Sequence, residues 1–441
     1  MDYRQAMKQL GAALLTAAAL FAAPPAEWEE LLKRVTAGVA RNFDSIHNYT
    51  CVETVRRDYF RPAGSTLSRA CPVLLELRKH PTLDMVLQPF ATDRLRLDVT
   101  TSSRGEIHAW AGASRFEDAD IDHVVHDGAI GSGALGALLD IIFEMDVKEF
   151  QFTRASVVDG RRVLEYSFEV PEKTSHYRIR FQDGKTWYSA AYSGTVLVDA
   201  QTADPVQLTV RTGELPLATG SCEMTTTLHL TRATLGDRRL IIPERASQHF
   251  ITPIGTETEN TVSFSRCREY TSESTITFSP APGTDATRAA PDPLPTPRRI
   301  PDGLVFTFEL NAAIDSDTAA AGDRFTGKLT APLRDGKTLL SPRGALVEGR
   351  LSMVKMAYSP KEQVLLGLMP ETIEVQGRKV PVNALPDSRA VRLLRSQARN
   401  KSLEIYLPPP GEHAGVFTFP GKRAIMPRRF VSEWRTVAPW Q

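Results

Sequence analysis

His123 and His126 stand at i and i+3 in the stretch DIDHVVHDGAIGSGALG, residues 120–136, with Asp122 and Asp127 beside them. Imidazole and carboxylate are zinc-ligand chemistry, but a zinc site needs three or four such donors held rigidly. A spacing of three puts both rings on one side only in a helix, and Val124, Val125 and the following glycines read as strand and turn. No third histidine stands at a recognisable spacing, so the segment is expected to be an exposed polar loop. His123, His126 and Asp122 are the residual metal candidate. Gly131, Gly133 and Gly136 then spell G-x-G-x-x-G ahead of a helix. That pattern cradles a pyrophosphate when it follows a strand inside a βαβ unit. The strands around it alternate as antiparallel strands do, so no nucleotide or other cofactor is expected. Ser132 in IGSGA lacks the glycine two residues earlier that a nucleophile elbow requires. His229 falls on the wet phase of its strand, between Leu228 and Leu230. The sequence names no catalytic residue, and a hydrolase ranks behind two non-catalytic readings.

The elements that would position these residues are mostly strands. Trp28, Leu31, Leu32, Val35, Val39, Phe43 and Ile46 recur at helical spacing and predict an amphipathic helix of about five turns whose apolar stripe needs a partner. From Tyr49 the period becomes two. Leu95, Leu97 and Val99 alternate with Arg94, Arg96 and Asp98, and Leu164, Tyr166, Phe168 and Val170 with Glu165, Ser167 and Glu169. Such alternation predicts an antiparallel sheet covered on one face and wet on the other. A second helix is expected from Ala134 to Met145. Residues 279–303 hold seven prolines and read as an extended linker. Beyond it a second series of strands, 304–441, predicts a small β-barrel.

Arg4 and Lys8, an apolar run from Leu10 to Ala23 and the alanines at 22, 23 and 26 read as a cleavable signal peptide over 1–26. Export to a periplasmic or extracellular space, in a bacterium, is the expectation. The four cysteines, Cys51, Cys71, Cys222 and Cys267, are then expected to be oxidised. Drawn as a regular hairpin, TCVETVRRDYF and CPVLLELRKH would place Cys71 opposite about residue 60, too far from Cys51 for a bridge of roughly 7 Å between Cα atoms. All three connectivities stay open.

Basic and acidic side chains, 53 and 52, nearly cancel, which excludes a protein held to nucleic acid by bulk charge. From Leu304 onward the basic ones lead by 20 to 13. Arg389, Arg392, Arg395 and Arg399 would line one side of a helix there, a basic surface suited to anionic head groups or an envelope protein partner.

The opening helix, the strands after it, GTVLVDAQTADPVQLTV and RRLIIPERASQHFI together resemble periplasmic proteins of the LolA and LolB type over residues 27–278. The strand-Asp-turn-Pro-strand element at Asp199 and Pro205 carries most of that resemblance. It implies a half-open antiparallel β-barrel wrapped on helices, offering an apolar concavity to a lipid or acylated ligand. GDRFTGKLTAPLRDGKTLLSPRGALVEGRL is similar to the small β-domain of some bacterial envelope and conjugation proteins. The overall expectation is a mainly β, α+β chain. Its leading function is an exported envelope binding protein, and its alternative an envelope scaffold without ligand.

Overall fold

A computed structural model describes residues 25–46, 49–64, 70–79, 86–102, 105–113, 116, 121–235, 237–269, 299–359, 361–387, 404–406 and 414–438. Residues 1–24 of the expected signal peptide and 279–298 of the proline-rich linker lie outside the described residues, as do Arg389, Arg392, Arg395 and Arg399; the last two residues of the expected peptide, Pro25 and Ala26, instead open the first helix.

The helix read from the 3.6-residue spacing is α1, Pro25–Ile46. Its buried side chains are Leu31, Val35, Val39 and Ile46, with Trp28, Leu32 and Phe43 packed at the margins. The partner surface is one antiparallel sheet. Its strands are β1 (Tyr49–Pro62), β2 (Leu87–Ser102), β3 (Gly105–Trp110), β4 (Gln151–Val158) and β5 (Arg161–Val170), followed by β6 (Tyr192–Asp199), β7 (Pro205–Thr212), β8 (Glu223–Leu235), β9 (Arg238–Ile251) and β10 (Glu257–Glu269). In space they run β4-β5-β6-β7-β8-β9-β10-β1-β2-β3, every neighbour antiparallel. Among the described residues β3 and β4 do not pair, so the sheet curls around α1 without closing. The Asp199–Pro205 element is the β6–β7 turn, where the Asp199 carboxylate accepts the amides of Gln201 and Thr202 at 2.8 and 3.1 Å. RRLIIPERASQHFI forms the single strand β9. Pro243 sits at its irregularity opposite β8, where a missing N–H does least harm.

Two local expectations are corrected. CPVLLELRKH is helical: Cys71–Lys79 forms α2, with Pro72 in the first turn and Arg78 and Lys79 in the last, an arrangement that suits helix ends. The bridges are Cys51–Cys267, between neighbouring strands β1 and β10, and Cys71–Cys222, from α2 to the entry of β8. The second expected helix starts late. An α-turn at Ala137–Asp140, α3, widens at once into a π-turn over Ile141–Asp146.

The second series of strands is β11 (Val305–Leu310), β12 (Arg324–Leu329), β13 (Leu346–Ala357), β14 (Gln363–Val375), β15 (Gly415–Pro420) and β16 (Val431–Thr436). Their order is β16-β11-β12-β13-β14-β15, antiparallel throughout. Among the described residues this ring stays open, because short strands at Ala384–Pro386 and Glu404–Tyr406 flank β16 and β15 without pairing to each other. Its core is separate, built on Phe308, Phe325, Phe417 and Trp434.

The outer face of β2 is not wet along its length. Lys355, Met356 and Ala357 of β13 pair with Asp93, Thr92 and Ala91, so one sheet runs through both regions. Arg94 donates to the carbonyls of Asp317 and Ala319 at 2.8 and 3.0 Å, and Arg96 pairs with Asp323. Gly322 fits here as no other residue does. Its φ is +100°, and a Cβ would lie 2.2 Å from the Arg96 carbonyl oxygen.

Candidate functional site

The concave face of the first sheet is covered by a segment of the chain. Leu95, Leu97, Leu164, Val196, Leu208, Leu228 and Val262 form the apolar floor. Ile121, Val125, Ala134, Leu138, Leu139, Ile142 and Phe143, from the segment 121–146, pack onto it beside α1. This plug contains the stretch with the histidines and the glycine triplet.

A polar row crosses the middle of that floor. Strand register aligns Thr226 of β8, Gln248 of β9, Asn260 of β10, Arg57 of β1, Asp93 of β2 and Lys355 of β13. Gln248, Asn260 and Arg57 are at most 3% exposed. Buried polar groups of this kind need partners, and the plug backbone supplies them. Arg57 Nη1 donates to the Asp127 carbonyl at 2.5 Å, Asn260 Nδ2 to Ala129 at 3.0 Å, and Gln248 Nε2 to Gly131 at 3.0 Å. The Gly131 amide returns a bond to Gln248 Oε1 at 3.2 Å. The plug is thus read at every second carbonyl, as a strand would be, but by side chains. Arg57 also grips Asp93 with two bonds of 2.7 Å, and the Tyr59 hydroxyl donates to the same carboxylate at 3.0 Å. Burial and the nearby Asp93 carboxylate push the Tyr59 hydroxyl far above its ordinary range, so it stays a donor. Gly128, at φ +82°, passes so close that a Cβ would stand 2.3 Å from that hydroxyl.

Carboxylates clasp the plug elsewhere. Glu106 of β3 accepts the amides of Gly133 at 2.7 Å and Gly136 at 3.0 Å. The glycine triplet therefore does present its amides to an acid group at a helix entry, and that carboxyl is the protein's own. Behind it, His108 is 1% exposed, with Nε2 3.2 Å from Glu53 Oε2. Burial raises the Glu106 pKa, with Glu53 adding to the rise, against His108 and the glycine amides. Burial lowers that of His108, but the Glu53 and Glu106 carboxylates outweigh it and the net shift is upward. At the far end, buried Asp146 accepts from the Tyr192 hydroxyl at 2.7 Å and the His176 amide at 2.9 Å.

The metal candidates separate into other roles. Ile121–Val124 is one helical turn, not the strand expected, because Ile121 and Val125 both turn inward to the core. His123 and His126 are exposed, and Asp122 is engaged by Arg180, with His123 Nδ1 at 3.4 Å. His126 Nδ1 lies 3.1 Å from the Asp122 carbonyl. Among the described residues no group of three or more His, Cys, Asp or Glu is arranged to hold a metal. Ser132 is exposed, and all four cysteines are bridged.

Sequence reasoning missed the clasps, although a signal existed. Asp93 continues the apolar phase of Leu95, Leu97 and Val99, Arg57 that of Val55, and Gln248 that of Ala246 and Phe250. A charged or amide residue in a core phase is the mark of a buried polar contact.

No family profile and no curated protein matches the sequence. Among solved structures the chain is similar to a LolA superfamily protein from Nitrosomonas europaea, at 8% identity and a TM-score of 0.26, over 54% of this chain and 94% of that one. A putative outer membrane lipoprotein-sorting protein domain from Vibrio parahaemolyticus matches at 11% identity and 0.27, over 56% and 94%. A DUF1329 family protein from Desulfovibrio piger matches at 9% and 0.27, over 55% and 95%. At these identities and scores the chemistry is left to the residues described above.

Proposed function

We propose that this chain is an exported envelope protein that holds a lipid or acylated ligand on the concave face of its first sheet, with residues 121–146 as a plug that the ligand displaces. One observation carries the reading. The segment covering the apolar floor is fastened by side chains to its backbone and by carboxylate clasps, not by strand pairing. Each such bond costs about 1 kcal/mol net where its groups pass to water or to polar atoms of the ligand, and lifting the segment also gives up the apolar contacts of Ile121, Val125, Leu138, Leu139, Ile142 and Phe143. An acyl chain entering the vacated floor offsets that loss at about 0.8 kcal/mol per buried CH₂. The two disulfides suit an oxidising compartment. Residues 27–278 would be the carrier and 304–441 an appended domain continuing its sheet.

The alternative of a ligand-free envelope scaffold is favoured by the continuity of the apolar cluster across floor, plug and α1. Native mass spectrometry with a dipalmitoylated peptide, together with hydrogen exchange, separates the two. Carriage predicts a one-to-one adduct and faster exchange at the amides of Gly131, Gly133 and Gly136. An adduct-free spectrum with unchanged exchange would leave the scaffold reading standing.

A further inference from the structure

We propose a second binding site, for a phosphate-bearing anion, in the cleft between α1 and the β8–β9 hairpin. The proposal goes beyond the concave face and stands whether or not that face takes a lipid. The cleft measures about 390 Å³ and is lined by Arg41 from the helix and by Arg232, Arg238 and Arg239 from the hairpin. Its lining includes no carboxylate. Of the four guanidinium groups only that of Arg232 has an acidic partner among the described residues, Asp204, which lies outside the lining. Arg41, Arg238 and Arg239 are exposed at the cleft, and a planar fork of donors matches phosphate oxygens two at a time.

The walls are fixed, as a site requires. Asn42 clamps Ile241 of the hairpin edge with two bonds, its Nδ2 donating to the carbonyl at 2.8 Å and its Oδ1 accepting the amide at 2.6 Å. The Tyr49 hydroxyl holds the hairpin tip through the Leu235 carbonyl at 3.0 Å. Gly38 adds an independent sign. A glycine inside a helix costs stability relative to alanine, and here a Cβ would meet nothing within 4 Å. Packing does not demand this glycine, but it keeps the helical wall low where the cleft opens.

The phosphate could be free or could be a lipid headgroup, and two probes on the full chain distinguish these. Equilibrium dialysis with inorganic pyrophosphate reads the first, and flotation with phosphatidylglycerol against phosphatidylcholine vesicles reads the second, both in about 0.15 M salt. Saturable binding is expected to fall roughly tenfold or more in Arg238→Gln/Arg239→Gln, since charge-assisted bonds are lost. It should survive in Arg334→Gln/Arg343→Gln, which removes the same charge from exposed arginines of the second region. Gly38→Leu, favourable to the helix, should weaken binding by filling the cleft with no change of charge. Pyrophosphate binding identifies a free anion; retention on phosphatidylglycerol alone identifies a headgroup. The proposal is overturned if neither probe binds saturably, if the control pair loses as much as the cleft pair, or if Gly38→Leu binds like the parent.

Discussion

The two regions of this molecule finish their sheets in opposite ways. In the second, Phe308 lies between Phe325 at 5.8 Å and Trp434 at 6.1 Å, ring to ring, and the core closes on apolar contacts. In the first, an apolar floor is crossed by Gln248, Asn260, Arg57 and Asp93, and its cover is held by hydrogen bonds from that row as well as by apolar contacts. Both disulfides fall in that first region. A dry core holds itself together. The bridges tie β1 to β10 and α2 to the entry of β8, within the region whose covering segment is not strand-paired to the face it covers.

Reducing the protein should break the comparison most widely open. The bridges span 216 and 151 residues, and the chain-entropy account gives about 5 kcal/mol for each. Calorimetry with and without reductant is expected to lower the first region's transition by more than about 10 °C. The second region, which has no cysteine, should keep its own. Equal movement of both would show that the shared sheet at β2 and β13 makes one cooperative unit, and the contrast would fail.

Trp434→Ala tests the other side. The ring is fully buried, with Nε1 donating to Ser432 Oγ at 2.8 Å. Its removal should cost about 3–5 kcal/mol and lower only the second transition.

Arg57→Met sharpens the contrast within the first region. It strands Asp93 beside Tyr59 and removes the bond to the Asp127 carbonyl, at a cost of about 3 kcal/mol. The distinctive readout is local. Exchange at the amides of residues 127–133 should quicken more than that of the floor strands, and adding Asp93→Leu should restore global stability without restoring the plug. A uniform change in exchange would mean that the plug is ordinary core.

These contrasts also mark how far the sequence could be read. The helix at Pro25–Ile46 and the alternation in β2 and β5 were legible because burial repeats at 3.6 and at 2. The Asp199–Pro205 element was legible as a turn between two strands, which it is. The plug was not legible, since its apolar residues, Ile121, Val125, Leu138 and Ile142, follow no single period. The disulfides were hidden by the helical nature of Cys71–Lys79. The Glu106 clasp was invisible for a different reason: glycines that cradle an anion look the same whether the anion is a nucleotide or a carboxylate on a distant strand. Only the strand pairing that sets Glu106 and His108 beside the triplet separates the two.

That cluster gives the smallest effect and the sharpest sign. Glu106 and His108 both have proton affinities raised by folding, from ordinary values of 4.5 and 6.5. For Glu106 the folded chain binds the proton more readily, so stability falls as pH climbs from about 4.5 through the raised value. For His108, burial opposes the charge but Glu53 and Glu106 outweigh it. Its contribution is full below about 6.5 and is lost as pH rises through the folded value. Both slopes have the same direction, and the first region should melt lower as pH passes above neutrality. Each tenfold difference in proton affinity is about 1.4 kcal/mol, or about 3–6 °C at the region's size. His108→Gln should flatten the decline above pH 6.5 while leaving the part that begins near 4.5. The second region's transition should be indifferent over the same range. If the variant keeps the full slope, His108 is not charged between its two carboxylates, and Glu106 holds the glycine amides without its help.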